Sequence, residues 1–203
     1  MPKTRVGVFV CHCGNNIGGV VRVPEVVEYA RGLPNVVYVE DNLYTCSEEG
    51  LSAIKEQIAE QNLNRVVVAS CTPRTHEPLF KEACEEAGLN KYLFEFVNIR
   101  EHCSWIHMHD PARATEKAQE LVKMGVAKAC YLEPQEEFES EVFPAALVIG
   151  GGVAGMTAAL NLASQGIQVH LVEREQELGG LVLNVRTMFP TEQETKQLMR
   201  PLV

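Results

Sequence analysis

The chain reads as an α/β protein: a parallel sheet flanked by helices, followed by the first βαβ unit of a Rossmann-like domain. Two observations predict this. Apolar, strand-like runs alternate with helical patterns along the first two-thirds of the chain, and that alternation is the mark of a parallel sheet. Near residue 150 a glycine-rich turn then stands between an apolar run and a helical pattern. The spacing divides the chain into a cysteine-containing α/β domain over 1–140 and a second domain over 141–203, begun but not rounded off.

The first strand is Arg5-Val-Gly-Val-Phe-Val10, which runs into Cys11-His-Cys13. Val23 to Ala30 follows as a helix, with Pro24 tolerated in its first turn. Val36 to Glu40 is the second strand and leads to Cys46. Ser47 is the N-cap of a helix over Glu49–Gln61, whose Leu51, Ile54 and Ile58 share a face. Arg65 to Ala69 is the third strand, ending before Cys71. Thr75 to Ala87 is a helix closed by Gly88. Tyr92 to Val97 is the fourth strand, with Cys103 beyond it. Asp110 caps a long helix that has Pro111 at its first position and runs to about Cys130. The acidic stretch Glu133–Glu141 lacks periodicity and reads as a solvated connection.

In the second domain Ala145 to Ile149 is a buried strand, Val153 to Gln165 a helix ended by Gly166, and Gln168 to Glu173 the next strand. Thr191-Glu-Gln-Glu194 has capping-box form and starts a final helix.

A formal net charge of −9 argues against non-specific nucleic-acid binding. Neither a signal-peptide segment nor an apolar run of membrane-spanning length is apparent, so a cytoplasmic protein is expected. In that compartment thiols stay reduced, and clustered cysteines more often bind metal or do redox work than form structural disulfides. The odd count of seven cysteines also fits a closed disulfide framework poorly.

Cys84 and Cys130 sit in or at the end of helical patterns and read as small packing residues. Cys11, Cys13, Cys46, Cys71 and Cys103 are set among polar and turn residues where strands give out. A parallel sheet brings its strand carboxyl ends to one edge, so these cysteines can converge there. Four thiolates suit a [4Fe–4S] cluster or, alternatively, tetrahedral zinc. The compact C-x₂-C spacing is absent, and spacing alone admits either metal. His12, His76 and His102 lie near the cysteines, and most such histidines are loop hydrogen-bonders; they are also candidates for supporting donors or alternative ligands. Arg74 and Arg100 can offset thiolate charge. A third use of the cysteines is thiol–disulfide exchange through Cys11 and Cys13.

Gly150, Gly152 and Gly155 form G-x-G-x-x-G, with Val153 and Ala154 between the last two. The motif follows a strand, opens a helix and has an acid, Glu173, at the end of the next strand. In that setting Gly150 allows the tight turn, Gly152 lets a pyrophosphate approach the helix start, and Gly155 lets helix and strand pack closely. Glu173 is placed to accept from ribose hydroxyls. Arg174 follows it, and a Gly179-Gly180 pair comes soon after. That arrangement resembles FAD enzymes with two dinucleotide-binding domains, so FAD is the expected cofactor. A flavin implies electron traffic, which favours iron over zinc, since zinc carries no electrons.

Val-Cys-His-Cys-Gly-Asn-Asn-Ile17, Tyr-Thr-Cys-Ser-Glu-Glu-Gly50, Ala-Ser-Cys-Thr-Pro-Arg-Thr-His-Glu-Pro78 and Asn-Ile-Arg-Glu-His-Cys-Ser-Trp105 resemble the amino-terminal domain of the A-type subunits of heterodisulfide reductase. The glycine motif and Glu173-Arg-Glu-Gln-Glu-Leu-Gly-Gly180 resemble the start of their FAD domain. The resemblance implies an iron–sulfur flavoprotein of anaerobes, part of an oxidoreductase acting on sulfur groups. It would pass electrons from a donor enzyme to a disulfide-reducing partner. Its implied partners are the other subunits of a heterodisulfide reductase-like complex and an electron-donor enzyme, in an oligomeric assembly. The rival from another class is a metal-stabilised docking module without redox turnover of its own.

Overall fold

The structure is a computed structural model and describes residues 3–190 and 192–195. It divides into two compact units, Met1–Glu137 and Phe138–Val203. Among the described residues no helix is long and apolar enough to cross a membrane.

In the first unit β1 (Val6–Cys11), β2 (Val36–Asn42), β3 (Arg65–Ser70) and β4 (Phe94–Asn98) form one sheet. The strand order is β2-β1-β3-β4, and every neighbouring pair is parallel. The chain leaves β1 to one side for β2, then crosses back to the other side for β3. The strand order therefore reverses between β1 and β3, the place where open α/β sheets build their sites.

Helices α1 (Val23–Arg31), α2 (Glu48–Glu60), α3 (Pro73–Glu86) and α4 (Pro111–Ala129) cover both faces. Val8 and Val10 of β1 and Val67 of β3 pack with Val26 of α1 and Val122 of α4 in one core layer. Phe9, Val66 and Val68 turn to the other face and meet Ile54 of α2 and Phe80 of α3. All six residues of β1 are buried, as a central strand covered on both sides requires. Phe80 also lies against the rings of Phe94 and Phe96, at centroid distances of 6.0 and 5.8 Å.

The helix starts follow local chemistry. Ser47 Oγ accepts from Gly50 N at 3.2 Å, and Asp110 Oδ1 accepts from Arg113 N at 3.1 Å. The fourth strand begins later than its apolar pattern predicts. Asn90 Oδ1 accepts from Tyr92 N at 3.1 Å and holds Lys91–Leu93 in a 3-10 turn, so β4 starts at Phe94.

The second unit contains β5 (Ala145–Ile149), α5 (Val153–Ser164) and β6 (Gln168–Val172), a βαβ unit with parallel strands. Two short strands, β7 (Thr187–Met188) and β8 (Gln193–Glu194), pair antiparallel. Thr191 and residues 196–203, where the capping-box pattern predicts the final helix, lie outside the described residues. Gln193 and Glu194 of its expected first turn pair with β7 instead.

Gly125 lies in α4, and a Cβ there would land on Val97 Cγ2 of β4. Helix propensity favours Ala over Gly by about 1 kcal/mol, whereas overpacking against a stiff β-branched side chain costs about 1–3 kcal/mol. Gly125→Ala should therefore destabilise the first unit, read as a lower urea midpoint at unchanged slope.

Candidate functional site

Cys11 closes β1 at the point where the strand order reverses. Its Sγ accepts two backbone N–H groups, from Cys13 at 3.3 Å and Thr45 at 3.4 Å. Thr45 belongs to the turn between β2 and α2, which also carries Cys46. These bonds tie the loop after β1 to the loop after β2. Cys13 takes up a left-handed conformation with φ of 46°, and Gly14 follows with φ of 53°. The left-handed φ at Gly14 is the conformation that favours glycine, and Tyr44 Oη lies 2.9 Å from where a Cβ would stand. Cys71 follows β3 and is buried, with Ser70 Oγ 3.8 Å from its Sγ.

Four sulfurs share one electrostatic neighbourhood. Burial pushes the Cys13 thiol above its ordinary pKa, the sulfurs of Cys11 and Cys71 push it further, and Arg100 pulls the other way. Burial also raises Cys46, again helped by Cys11 and Cys71. The sulfurs of Cys11 and Cys71 thus make Cys13 and Cys46 harder to ionise. A shared cation removes that conflict and releases the protons, so the donor set of Cys11, Cys13, Cys46 and Cys71 fits a thiolate-bound metal group. In this structure, among the described residues, no three His, Cys, Asp or Glu side chains already stand in metal-ligating geometry.

Cys103 is placed differently. It lies in a π-helical turn, Arg100–Ser104, and its Sγ donates to the Ala114 carbonyl of α4 at 3.0 Å. Burial pushes its pKa up to about 11, Lys117 lowering it slightly. The structure brings Cys11, Cys13, Cys46 and Cys71 together and sets Cys103 into the core beneath α4. Cys84 is fully buried in α3, and burial pushes it up to about 12.

His12 Nε2 lies 2.7 Å from Asp41 Oδ2, which orients its ring. His76 is half-buried; His102 and Arg74 are exposed. Arg100 Nη1 lies 3.9 Å from Cys13 Sγ. The sequence reading missed Thr45, whose role is carried by a backbone N–H and leaves no residue-type signal. It also missed Trp105, whose ring stacks on Arg100.

In the second unit Gly150 has φ of 103°, and Gly152 caps α5 in extended conformation. A Cβ at Gly155 would strike the Gly150 carbonyl oxygen, whereas one at Gly152 meets nothing within 4 Å. Val153 and Ala154 are exposed at the start of α5, where the first-turn N–H groups point out of the helix. The Glu173 carboxylate accepts from Gly151 N at 2.7 Å, Arg174 N at 2.7 Å and Glu175 N at 3.0 Å. These N–H groups, Glu175 and Gly151 foremost, hold it below the usual carboxylate range. Arg174 is exposed, its Nε 3.1 Å from Glu175. Gly179 N donates to Gly151 O at 2.8 Å, and Gly180, with φ of 55°, comes against Gly152 Cα. An open cavity of about 910 Å³ runs past Gly150, Glu173, Arg174 and Gly180.

This glycine-cradled βαβ unit defines a dinucleotide-binding fold of the flavin type, and residues 146–200 match the model of the FAD dependent oxidoreductase family. Along 93% of its length the chain is 57% identical to an A-type iron–sulfur subunit of the CoB–CoM heterodisulfide reductase of Methanopyrus kandleri, the one numbered 2. It is 50% identical over 99% of its length to a protein of Archaeoglobus profundus that is itself named for its likeness to the A-type heterodisulfide reductase subunits. It is 54% identical over 94% to the A-type subunit of the H2:CoB-CoM heterodisulfide, ferredoxin reductase of Methanothermobacter marburgensis. The chain spans 29% of the length of each of these relatives. Over that span it belongs to the family of heterodisulfide reductase A-type subunits and corresponds to their amino-terminal part.

Two outcomes follow from the geometry. Under anaerobic iodoacetamide treatment of the native metal-free chain, the partly exposed Cys13, Cys46 and Cys130 should be alkylated first and Cys84 and Cys103 last, as read by peptide mass spectrometry. Gly155→Ala should cost the second unit about 1–3 kcal/mol through its clash, while Gly152→Ala should change stability by less than about 1 kcal/mol, both measured by chemical denaturation.

Proposed function

We propose that this chain is the part of an electron-transfer iron–sulfur flavoprotein that carries a [4Fe–4S] site in its first unit and the pyrophosphate cradle for FAD in its second. The observation that carries the reading is the gathering of Cys11, Cys13, Cys46 and Cys71 where the strand order reverses. Cys103, a candidate ligand by sequence position, is left out of the ligand set because it is buried beneath α4, bonded to Ala114 O at 3.0 Å, and is not among the sulfurs that act on Cys13 and Cys46. When bound, the cluster supplies one-electron chemistry. The chain's own groups do the rest. The N–H groups of Cys13 and Thr45 support the Cys11 sulfur, and the guanidinium of Arg100 faces that of Cys13. Thiol–disulfide exchange is disfavoured, since it needs a low-pKa thiol and Cys13 is held high.

For FAD, the N–H groups of Val153 and Ala154 at the start of α5 are assigned to the pyrophosphate, and the pre-oriented Glu173 to the adenosine ribose. Arg174 and Gly180 border the same cavity. In the whole protein the role would be to take electrons from a donor enzyme and deliver them to a disulfide-reducing partner. That work belongs in an oligomeric complex with other subunits and in the reducing cytoplasm, where thiols stay free. The names of the relatives, among them an iron–sulfur subunit of a heterodisulfide reductase, support this role.

Anaerobic reconstitution with iron and sulfide, followed by visible absorption and EPR, tests the cluster. Wild type should take up iron, Cys13→Ala, Cys46→Ala and Cys71→Ala should each lose or alter the signal, and Cys103→Ala should keep it. Metal loading should also protect Cys13 and Cys46 from alkylation and leave Cys130 reactive. Uptake of zinc but not iron would favour the docking module. For the flavin, Gly152→Val in the whole protein should lower FAD content without unfolding it, because a side chain there meets only the space the phosphates need.

A further inference from the structure

Arg100 stands where β4 passes into the π-helical turn Arg100–Ser104. Asn98 builds the base of this turn. Its Oδ1 accepts the N–H groups of Arg100 at 3.1 Å and Glu101 at 3.0 Å, and its Nδ2 donates to Glu101. The Arg100 side chain is 19% exposed and held on three sides. Nη1 is 3.9 Å from Cys13 Sγ, Nη2 is 3.2 Å from Glu101 Oε1, and the guanidinium lies 4.8 Å from the centre of the Trp105 ring. Its Nε is buried without a hydrogen-bond partner among the described residues. A buried, partly unmatched donor is costly. Burial works against the charge of Arg100, yet Glu101 and the sulfurs of Cys71 and Cys13 outweigh it and keep the group protonated. The result is a fixed cation at the rim of the thiol group, with Trp105 lying over it, half in water.

We propose that Arg100 is a positioning residue that balances the negative charge on the sulfurs of Cys13 and Cys71 and thereby raises the reduction potential of an iron–sulfur group held there, with Glu101 tempering it. This rests on the cluster reading above. One-electron reduction adds one negative charge, and no bond is made or broken. A nearby positive charge stabilises the reduced state more than the oxidised one, and in a part-buried site that Coulomb term is weakly screened. A neighbouring carboxylate has the opposite effect. The Trp105 ring, 4.8 Å from the guanidinium, adds a further favourable contact for the cation.

The test is an EPR-monitored titration with dithionite as electron donor, on anaerobically reconstituted wild type, Arg100→Gln, Arg100→Lys and Glu101→Gln, each with its iron content measured. At equal iron content the potential of Arg100→Gln should fall, that of Arg100→Lys should lie between it and wild type, and that of Glu101→Gln should rise. A merely structural role would not give shifts of opposite sign. Equal potentials in wild type and Arg100→Gln would overturn the inference and leave the cluster reading standing. If Arg100→Gln fails to hold iron, Glu101→Gln decides, and no rise there overturns it. If wild type itself takes up no iron, the cluster reading and this inference fall together.

Discussion

Parallel strands that share a sheet must end on the same edge, and most of the first unit's chemistry depends on that polarity. With the order β2-β1-β3-β4, β1 and β3 are neighbours whose connections leave to opposite sides. Cys11 and Cys71 follow these two strands, one on each side of the reversal, and both are buried. The loop after β2 brings Cys46, and the left-handed turn at Cys13 and Gly14 folds a second thiol back beside the first. The helices on both faces bury the strands that carry this edge.

The gathered thiols create a conflict that burial sharpens. An isolated buried cysteine, such as Cys84, is content as a neutral packing group. Cys13 and Cys46 are only partly buried, yet each is pushed further from ionisation by its sulfur neighbours. Around them stand groups suited to negative charge: two N–H donors at Cys11 and the guanidinium of Arg100. Those donors are what a deprotonated sulfur needs, and they support the metal-bound state proposed for this site.

The second unit uses backbone where the first uses side chains. Gly155 is needed because the Gly150 carbonyl occupies the place of a Cβ, and Gly152 stands against open space. The Gly179–Gly180 turn closes on the same loop through the Gly179 N to Gly151 O bond. Ala145–Ile149, expected as a buried strand, is instead exposed at alternate residues, Leu147 and Ile149 among them, and Val172 of β6 is exposed too, since two strands and one helix cannot cover both faces of their sheet.

Strands and helices were legible because their signals are local. Val66–Val68 is apolar and β-branched, Ser47 and Asp110 cap helices with their own side chains, and the glycine motif lies between a strand and a helix. The start of β4 was misread because Asn90 captures the Tyr92 N–H, a local contact that competes with an equally apolar pattern. Sequence order could bring cysteines to an edge but could not sort them. Cys103 follows a strand as the others do, yet the π-helical turn swings its thiol to Ala114 O, a bond to a helix eleven residues on. The sequence offered Arg74 and Arg100 alike as charges for the thiols; that Arg100 is the one, paired with Cys13 across 87 residues, was decided by the fold. Spacing along the chain reports which strand a residue follows. The direction its side chain takes, and the charge it meets there, arise from packing between distant segments.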